Sequence, residues 1–393
     1  MSIENDFALI QDFDKNYCLQ VFNLLPVAFV KGKGCYLYDT EGKKYLDMIG
    51  GIAVNCLGYA HPKLTSAICS QAKSIVHACN YYYIPEKSEL AYRLCRASFA
   101  DKVFFCNSGA EANEAAIKLA RSFFYYKDVN KYEIITANMS FHGRTITTLA
   151  ATGQDVFHKD FLPLTEGFLY AEANNLESVE ELVSENKVCA IMMETIQGEG
   201  GVLALTDEFV KGVFEIAKEK NMLVIIDEVQ TGNGRTGKLY SYMHYGVMPD
   251  IVSTAKGLAG GLPLGCTMLG EKVENVLAPG SHGSTFGGNP ICCAGAISIL
   301  SRIDDNLLTD ITKKSEYIVS RLSKCEKVKS VSGKGFMLGI ECEKPAKDII
   351  ASAMEKGVLV LSAKTKVRLL PPLNIPFELL EDAIDKLIEA IEE

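Results

Sequence analysis

Two charged residues stand where buried strands should end. Asp227 closes the apolar run 222–227 (MLVIID), and Lys256 follows the apolar run 251–255, 29 positions later. Partial burial lowers a lysine pKa and makes the amine nucleophilic, as Schiff-base chemistry requires; a surface lysine at a strand end has the same sequence. A carboxylate at the tip of a buried strand needs a partner. A protonated heterocyclic nitrogen would serve, and so would a structural salt bridge or a helix cap. The stretch 107–113 (NSGAEAN) joins an apolar run to a helical pattern. Free N–H groups and the positive dipole end there can hold a phosphate, with a hydroxyl from Ser108 and close backbone approach at Gly109. An ordinary N-cap fits equally well.

Further candidates share this strand-end placement. In 141–144 (FHGR) the Phe141 ring could stack on a flat ligand and Arg144 could clamp a carboxylate, while the lone His142 reads as a satisfied structural group. The stretch 283–290 (GSTFGGNP) suits a second phosphate contact or a plain turn. Arg368 is a single charge inside an apolar strand (VRLLPP), so burying it requires an anion from the protein or from a substrate. The loop 231–238 (TGNGRTGK) nearly spells a P-loop, but residue 239 is Leu, which removes the magnesium-binding hydroxyl. It reads as a structural loop with three glycines.

The elements that must hold these residues alternate. Apolar strands are expected at 102–106, 133–137, 188–194, 222–227, 251–255 and 266–269, with helices at 110–127 and 207–220. Runs that are apolar on both faces, separated by helices, indicate a mostly parallel sheet covered by helices. Ligands of such sheets sit at the carboxyl ends of the strands, where the acids and turns lie. After residue 303 the pattern changes to a smaller α+β arrangement, and a hairpin at 35–46 belongs with it. The expected division is an N-terminal segment 1–50 packing with the small domain, a large α/β domain 51–302, and a small α+β domain 303–393.

Composition narrows the function classes. The 393 residues carry a net charge of −9, which argues against a broad nucleic-acid surface but allows a small cationic pocket. No apolar run approaches about 18 residues, so no membrane span is expected. The first residues are acidic and lack an apolar core, so no secretory leader is expected. Thirteen scattered cysteines without a CxxC read as free thiols of a cytoplasmic protein. HExxH is absent and the six histidines are widely spaced, so no metal site is expected; no GxSxG marks a hydrolase.

Together these pieces resemble the class III (ω-amino-acid) aminotransferases, pyridoxal-phosphate enzymes of fold type I. The resemblance spans essentially the whole chain. It runs from 32–47 (GKGCYLYDTEGKKYLD) and 50–62 (GGIAVNCLGYAHP) through NSGAEANE, FHGR, ETIQGEGG, IIDEVQTGNGRTG and AKGLAGGLPLG to GSTFGGNP and VRLLPP. It implies an α/β fold, with a large domain built on a mainly parallel mixed sheet and a small α+β domain. The implied cofactor is pyridoxal 5′-phosphate. Lys256 would bind it covalently and shuttle protons, and Asp227 would pair with its pyridinium nitrogen. Ser108, Gly109 and Ala110 would hold the phosphate, with Thr285 completing that site from the neighbouring subunit of a homodimer. Phe141 and Val229 would pack on the two ring faces, and Gln230 would contact the ring hydroxyl.

The resemblance also implies substrate contacts. Arg144 and Arg368 would bind carboxylates, Ser284 would lie close to substrate, and Glu199 would pair with Arg368 and swing away when 2-oxoglutarate or glutamate binds. Within the family the chain is most similar to the acetylornithine branch, where GGIAVN puts apolar Ile52 at a position that ornithine δ-aminotransferases tend to fill with Tyr. The implied reaction moves the δ-amino group of N2-acetylornithine to 2-oxoglutarate. Ornithine, 4-aminobutyrate and succinyldiaminopimelate aminotransferases, and glutamate-1-semialdehyde aminomutase, are the alternatives. The chain departs from the branch at Phe22 and Leu24, where a Tyr-x-Arg pattern precedes the proline, and at Thr195, where Pro is usual.

Overall fold

The computed structural model describes residues 6–393. Its centre is a seven-stranded sheet of β1 (Lys102–Cys106), β2 (Glu133–Ala137), β3 (Phe168–Ala171), β4 (Val188–Met193), β5 (Leu223–Asp227), β6 (Ile251–Thr254) and β7 (Gly265–Leu269). The spatial order is β1-β7-β6-β5-β4-β2-β3. The pairs β5–β6, β5–β4, β2–β4 and β2–β3 are parallel, whereas β7 runs antiparallel to both neighbours. The mainly parallel mixed sheet expected from the apolar runs is therefore present. All residues of β4 and β5 are buried, which explains why both read as unbroken apolar runs. β3 was not anticipated: it is an edge strand of only four residues, three of them half-buried.

The helices cover this sheet by amphipathic design. Helix Asp207–Glu219 buries Phe209, Val210, Val213, Ile216 and Ala217, one stripe at helical spacing. Thr206 caps it by accepting from the Phe209 N–H at 3.2 Å, and Asp207 and Glu208 sit at its positive end. Helix Gly109–Tyr125 buries alanines along the face that meets β6 and β7, so it packs close to the strand tips.

A second core forms around the chain ends. The hairpin Tyr36–Asp39 and Lys44–Asp47 joins Val358–Leu359 through a parallel pairing of Leu46 with Val358. An antiparallel sheet of Val328–Lys334, Met337–Cys342, Lys366–Leu369 and Leu361–Ala363 lies nearby. Cys35, Leu46 and Met48 share one hydrophobic cluster with Ile318, Leu369 and Ile384. The buried Arg235 of the glycine-rich loop donates to the Pro371 carbonyl at 2.5 Å. That loop ties the large sheet to the C-terminal strands.

One local feature breaks the ordinary backbone rules. Gly50, Gly51, Ile52 and Ala53 all have positive φ, at 56°, 64°, 63° and 63°, so Gly50–Ala53 forms a left-handed turn. Such a conformation costs about 1–3 kcal/mol at each non-glycine residue, and a β-branched Ile is an outlier there. The Asp47 carboxylate faces it, accepting from the Ile49 N–H at 2.8 Å, the Gly50 N–H at 3.1 Å and the Tyr59 hydroxyl at 2.5 Å. These three hydrogen bonds favour the ionised carboxylate, while its burial, the larger effect, raises the Asp47 pKa above the ordinary value.

Candidate active site

A cavity of about 460 Å³ opens at the carboxyl ends of β1, β4, β5 and β6. Ser108, Gly109, Ala110, Phe141, Arg144, Asp227, Val229, Gln230 and Lys256 all line it. Nine of the residues singled out from sequence therefore converge on one space, at the end of the sheet where ligands of parallel sheets bind.

Asp227 sits at the tip of β5 and is almost fully buried. Its Oδ2 accepts from Asn113 Nδ2 at 2.7 Å and lies 2.8 Å from His142 Nδ1, and its Oδ1 accepts from the Val229 N–H at 3.0 Å. His142 Nε2 and Asn113 Oδ1 are buried with no partner among the described residues. Sequence reasoning treated His142 as structural and gave Asn113 no role. The available signal was a polar side chain on the apolar face of an alanine-rich helix.

Lys256 follows β6 with φ of 41°, a left-handed backbone rare for any residue but glycine. Burial lowers the pKa of its amine below the ordinary lysine value; Glu199, Asp227 and Glu194 oppose the shift, and Arg368 adds to it. More of the amine is therefore neutral and nucleophilic. Gly257 must be glycine-sized because a Cβ there would come within 2.5 Å of Cys56 Sγ.

The anion end is the start of helix Gly109–Tyr125. Ser108 Oγ accepts from the Glu111 N–H at 3.1 Å, and the Ala112 N–H makes the first intrahelical bond to the Ser108 carbonyl. The Gly109 and Ala110 N–H groups precede that bond and border the cavity. A Cβ at Gly109 would lie 2.6 Å from Val229 Cγ1, so the glycine lets the β5 tip approach.

The carboxylate-binding candidates occupy two places. Arg144 is exposed at the mouth, its guanidinium 3.9 Å over the Phe157 ring. Arg368 is 1% exposed and bonded to the Glu199 carboxylate at 2.7 Å, the Gly198 carbonyl at 3.0 Å and Gln230 Oε1 at 3.1 Å. Burial pulls the Glu199 carboxyl up, but the Arg368 charge and hydrogen bond outweigh it and hold it below the ordinary value. Arg368 Nε is buried with no partner among the described residues.

Five candidates are not on this cavity wall: Glu199 and Arg368, which reach it through Gln230, and Ile52, Ser284 and Thr285. Ile52 sits in the left-handed turn, two residues before Val54, which does line the cavity. Ser284 borders a neighbouring cavity of about 330 Å³ and accepts from Asn107 Nδ2 at 3.1 Å. Thr285 is exposed. Glu194 is a residue the sequence reading passed over as a strand end. It lines the cavity and accepts from the Phe141 N–H at 2.9 Å and the Gly198 N–H at 3.1 Å. Burial raises its carboxyl pKa to about 7, with His142 opposing and Asp227 reinforcing the shift. Among the described residues no group of acids, histidines and cysteines could hold a metal ion.

The aminotransferase class III family model matches residues 20–391. The chain belongs to the class III aminotransferases. It is 46% identical over 389 residues to the acetylornithine aminotransferase of Caldanaerobacter subterraneus subsp. tengcongensis, covering 97% of this chain and 98% of that protein. It is 47% identical over 377 residues to the enzyme of the same name from Aquifex aeolicus, covering 95% and 100%. Among solved structures, the ornithine aminotransferase of Toxoplasma gondii superposes with a TM-score of 0.94 at 31% identity, covering 98% of this chain and 95% of that one. The N-acetylornithine aminotransferase of Stenotrophomonas maltophilia does so with 0.84 at 32%, covering 97% and 98%.

As a class III aminotransferase the chain is a pyridoxal-phosphate enzyme, and its cavity suits that group. A helix N-terminus with a hydroxyl can receive the phosphate. A lysine amine of lowered pKa can receive the aldehyde, and a fixed, buried carboxylate can receive the ring nitrogen. A side chain at Gly109 would push against Val229, the residue proposed for one ring face.

Proposed function

We propose that this chain transfers the δ-amino group of N2-acetylornithine to 2-oxoglutarate, giving N-acetylglutamate 5-semialdehyde and glutamate. The observation that carries this reading is the Arg368–Glu199 pair at 2.7 Å. A buried guanidinium needs an anion at all times. Glu199 supplies one while the donor's amine end is bound, and a substrate α-carboxylate replaces it when 2-oxoglutarate or glutamate enters. One cavity thereby accepts two substrates of different shape.

Ser108, Gly109 and Ala110 would hold the cofactor phosphate, Phe141 and Val229 its ring faces, Gln230 its hydroxyl and Asp227 its nitrogen. Bound there, the cofactor supplies an electron sink for charge developing on the substrate carbon. Asp227 keeps a proton on the ring nitrogen, fixed in that role by Asn113 and the Val229 N–H. Lys256 anchors the cofactor and carries the proton at the substrate's reacting carbon, a task suited to an amine of lowered pKa. Arg144 binds the donor α-carboxylate and then the side-chain carboxylate of glutamate. Ile52 offers the N-acyl group an apolar neighbour where a hydroxyl would favour a free ammonium.

The same proposal includes a homodimer with shared sites, in which Ser284 and Thr285 serve the partner's cavity. The exposed Tyr81, Tyr82, Tyr83 and Phe286 support a covered face beside that loop. It also includes the division into segments 1–50, 51–302 and 303–393, supported by the two separate cores, and a cytoplasmic setting, supported by thirteen free thiols.

The test is kcat/KM for acetylornithine, ornithine, 4-aminobutyrate and succinyldiaminopimelate, with and without 2-oxoglutarate. Acetylornithine should lead, and omission of the oxo acid should stop turnover. Isomerisation of glutamate 1-semialdehyde without oxo acid would replace this reading with that of an aminomutase. A lead for free ornithine, which the likeness to the Toxoplasma gondii structure favours, would replace it with an ornithine aminotransferase.

A further inference from the structure

We propose that Asp47 and Tyr59 are positioning residues for donor selectivity, holding the left-handed turn Gly50–Ala53 that sets Val54 in the cavity wall and Ile52 on the apolar cluster between the Glu199 loop and the Arg368 strand. The inference rests on the reading of the cavity as the seat of an ω-amine donor.

The turn does not arise from its own sequence. Two glycines permit positive φ at positions 50 and 51, but Ile52 and Ala53 strongly disfavour it. Its internal bonds, Ala53 N–H to the Ile49 carbonyl at 3.2 Å and Val54 N–H to the Gly50 carbonyl at 2.8 Å, are ones an ordinary right-handed turn could also make. The added restraint is the Asp47 carboxylate, whose two oxygens hold the Ile49 and Gly50 N–H groups. The Tyr59 hydroxyl donates to the same Oδ2 that accepts from Gly50, at 2.5 Å.

Both members of the clamp are anchored outside the turn, Asp47 by its N–H to the Cys35 carbonyl at 2.8 Å. The Met48 N–H donates to Leu359 and its carbonyl accepts from Leu370, two residues beyond Arg368. Tyr59 exchanges backbone hydrogen bonds with Gly34, at 2.7 and 2.9 Å. The turn is therefore braced against the C-terminal strands and the N-terminal hairpin, whereas Ser108, Asp227 and Lys256 stand on the large sheet.

What the clamp controls follows from its neighbours. Val54 lines the cavity, and the Ala53 carbonyl lies 3.3 Å from where a Cβ at Gly257 would stand, next to Lys256. Ile52 packs on the cluster containing Ile196, Val202 and Leu370, between the Glu199 loop and the Arg368 strand. Relaxation of the turn would shift these apolar groups and leave the residues that hold the cofactor in place.

The experiment uses the full-length holoenzyme and its Tyr59→Phe and Asp47→Asn variants. It reads kcat and KM for acetylornithine and ornithine, KM for 2-oxoglutarate, the visible absorbance of bound cofactor and the melting temperature. In Tyr59→Phe the kcat/KM ratio of acetylornithine to ornithine should fall about tenfold through donor KM, the scale set by the loss of one hydrogen bond to the clamp. Cofactor absorbance and the KM for 2-oxoglutarate should stay within about twofold. In an Ile52→Gly background, Tyr59→Phe should change the ratio less than twofold, because the clamp then holds no side chain at position 52. An unchanged ratio, additive losses in that background, or a fall in all substrates together would overturn the proposal. Tyr59→Phe decides alone if Asp47→Asn does not fold. If the wild type uses neither donor, the proposed function fails, and the ratio is read between its two best amines, which keeps the two failures distinct.

Discussion

Asn113 holds Asp227 by a 2.7 Å hydrogen bond, and the same amide nitrogen donates to the His142 carbonyl at 2.7 Å. One side chain thus joins the first helix after β1, the loop after β2 and the tip of β5. A carboxylate that must keep a ring nitrogen protonated needs a fixed position more than it needs a charged partner of its own. Asn113→Ala should lower stability by about 1–3 kcal/mol, since a buried acceptor loses its donor. It should also lower kcat more than it raises donor KM. Denaturant unfolding and steady-state kinetics check both, and an unchanged kcat would remove Asn113 from the site.

Arg368 and Glu199 define a second expectation. Lysine in place of Arg368 keeps the charge but loses the planar fork that binds a carboxylate with two hydrogen bonds. Arg368→Lys should therefore raise KM for 2-oxoglutarate by about 10–100-fold, corresponding to one charged hydrogen bond of about 1.5–3 kcal/mol. KM for acetylornithine should change much less. Equal changes for both substrates would show that Arg368 does not distinguish them.

The pH dependence of stability carries a signature of Glu194. Its native carboxyl keeps a proton up to about pH 7, compared with its ordinary 4.5. Between those values the native state holds the extra proton, so stability falls as pH rises. Glu194→Gln should flatten that decline by about one proton across this window. Unfolding free energies at pH 5, 6, 7 and 8 measure it, and parallel curves for the two proteins would reject the assignment.

The proposed sharing of sites between two subunits predicts complementation. Lys256→Ala homodimers should be inactive. A variant with Ser284 and Thr285 both changed to Ala should bind cofactor weakly. Mixed dimers of the two should recover activity, because one of the two cavities then has its own Lys256 and an intact loop from the partner. Mixing without recovery, in dimers demonstrated by mass, would place that loop at its own chain's site.

Much of this was legible in the sequence because parallel strands buried on both faces leave unbroken apolar runs, and β4 and β5 end in the acids Glu194 and Asp227. The helix after Ser108 was equally plain from its cap and its alanines. The left-handed turn was not legible. Only the Gly50-Gly51 pair marks it, and Ile52 argues locally for the opposite geometry. Asn113 and Glu194 were missed for another reason. Their partners lie 114 and 53 residues away, and no local pattern encodes such pairings. Four-residue β3 escaped because a half-buried edge strand has too little periodicity to read.

The reversed direction of β7 has a consequence for motion. A parallel strand beside β6 would require a crossover of a dozen or more residues. The antiparallel return instead brings the chain from Thr254 to Gly265 directly, and Gly265 lies so close to the Ser108 carbonyl that a Cβ would approach it to 2.2 Å. The lysine turn thus lies in the connection between β6 and β7, and the first residue of β7 abuts the anion cradle. Amide exchange should register them as a single cooperative unit that opens and closes together.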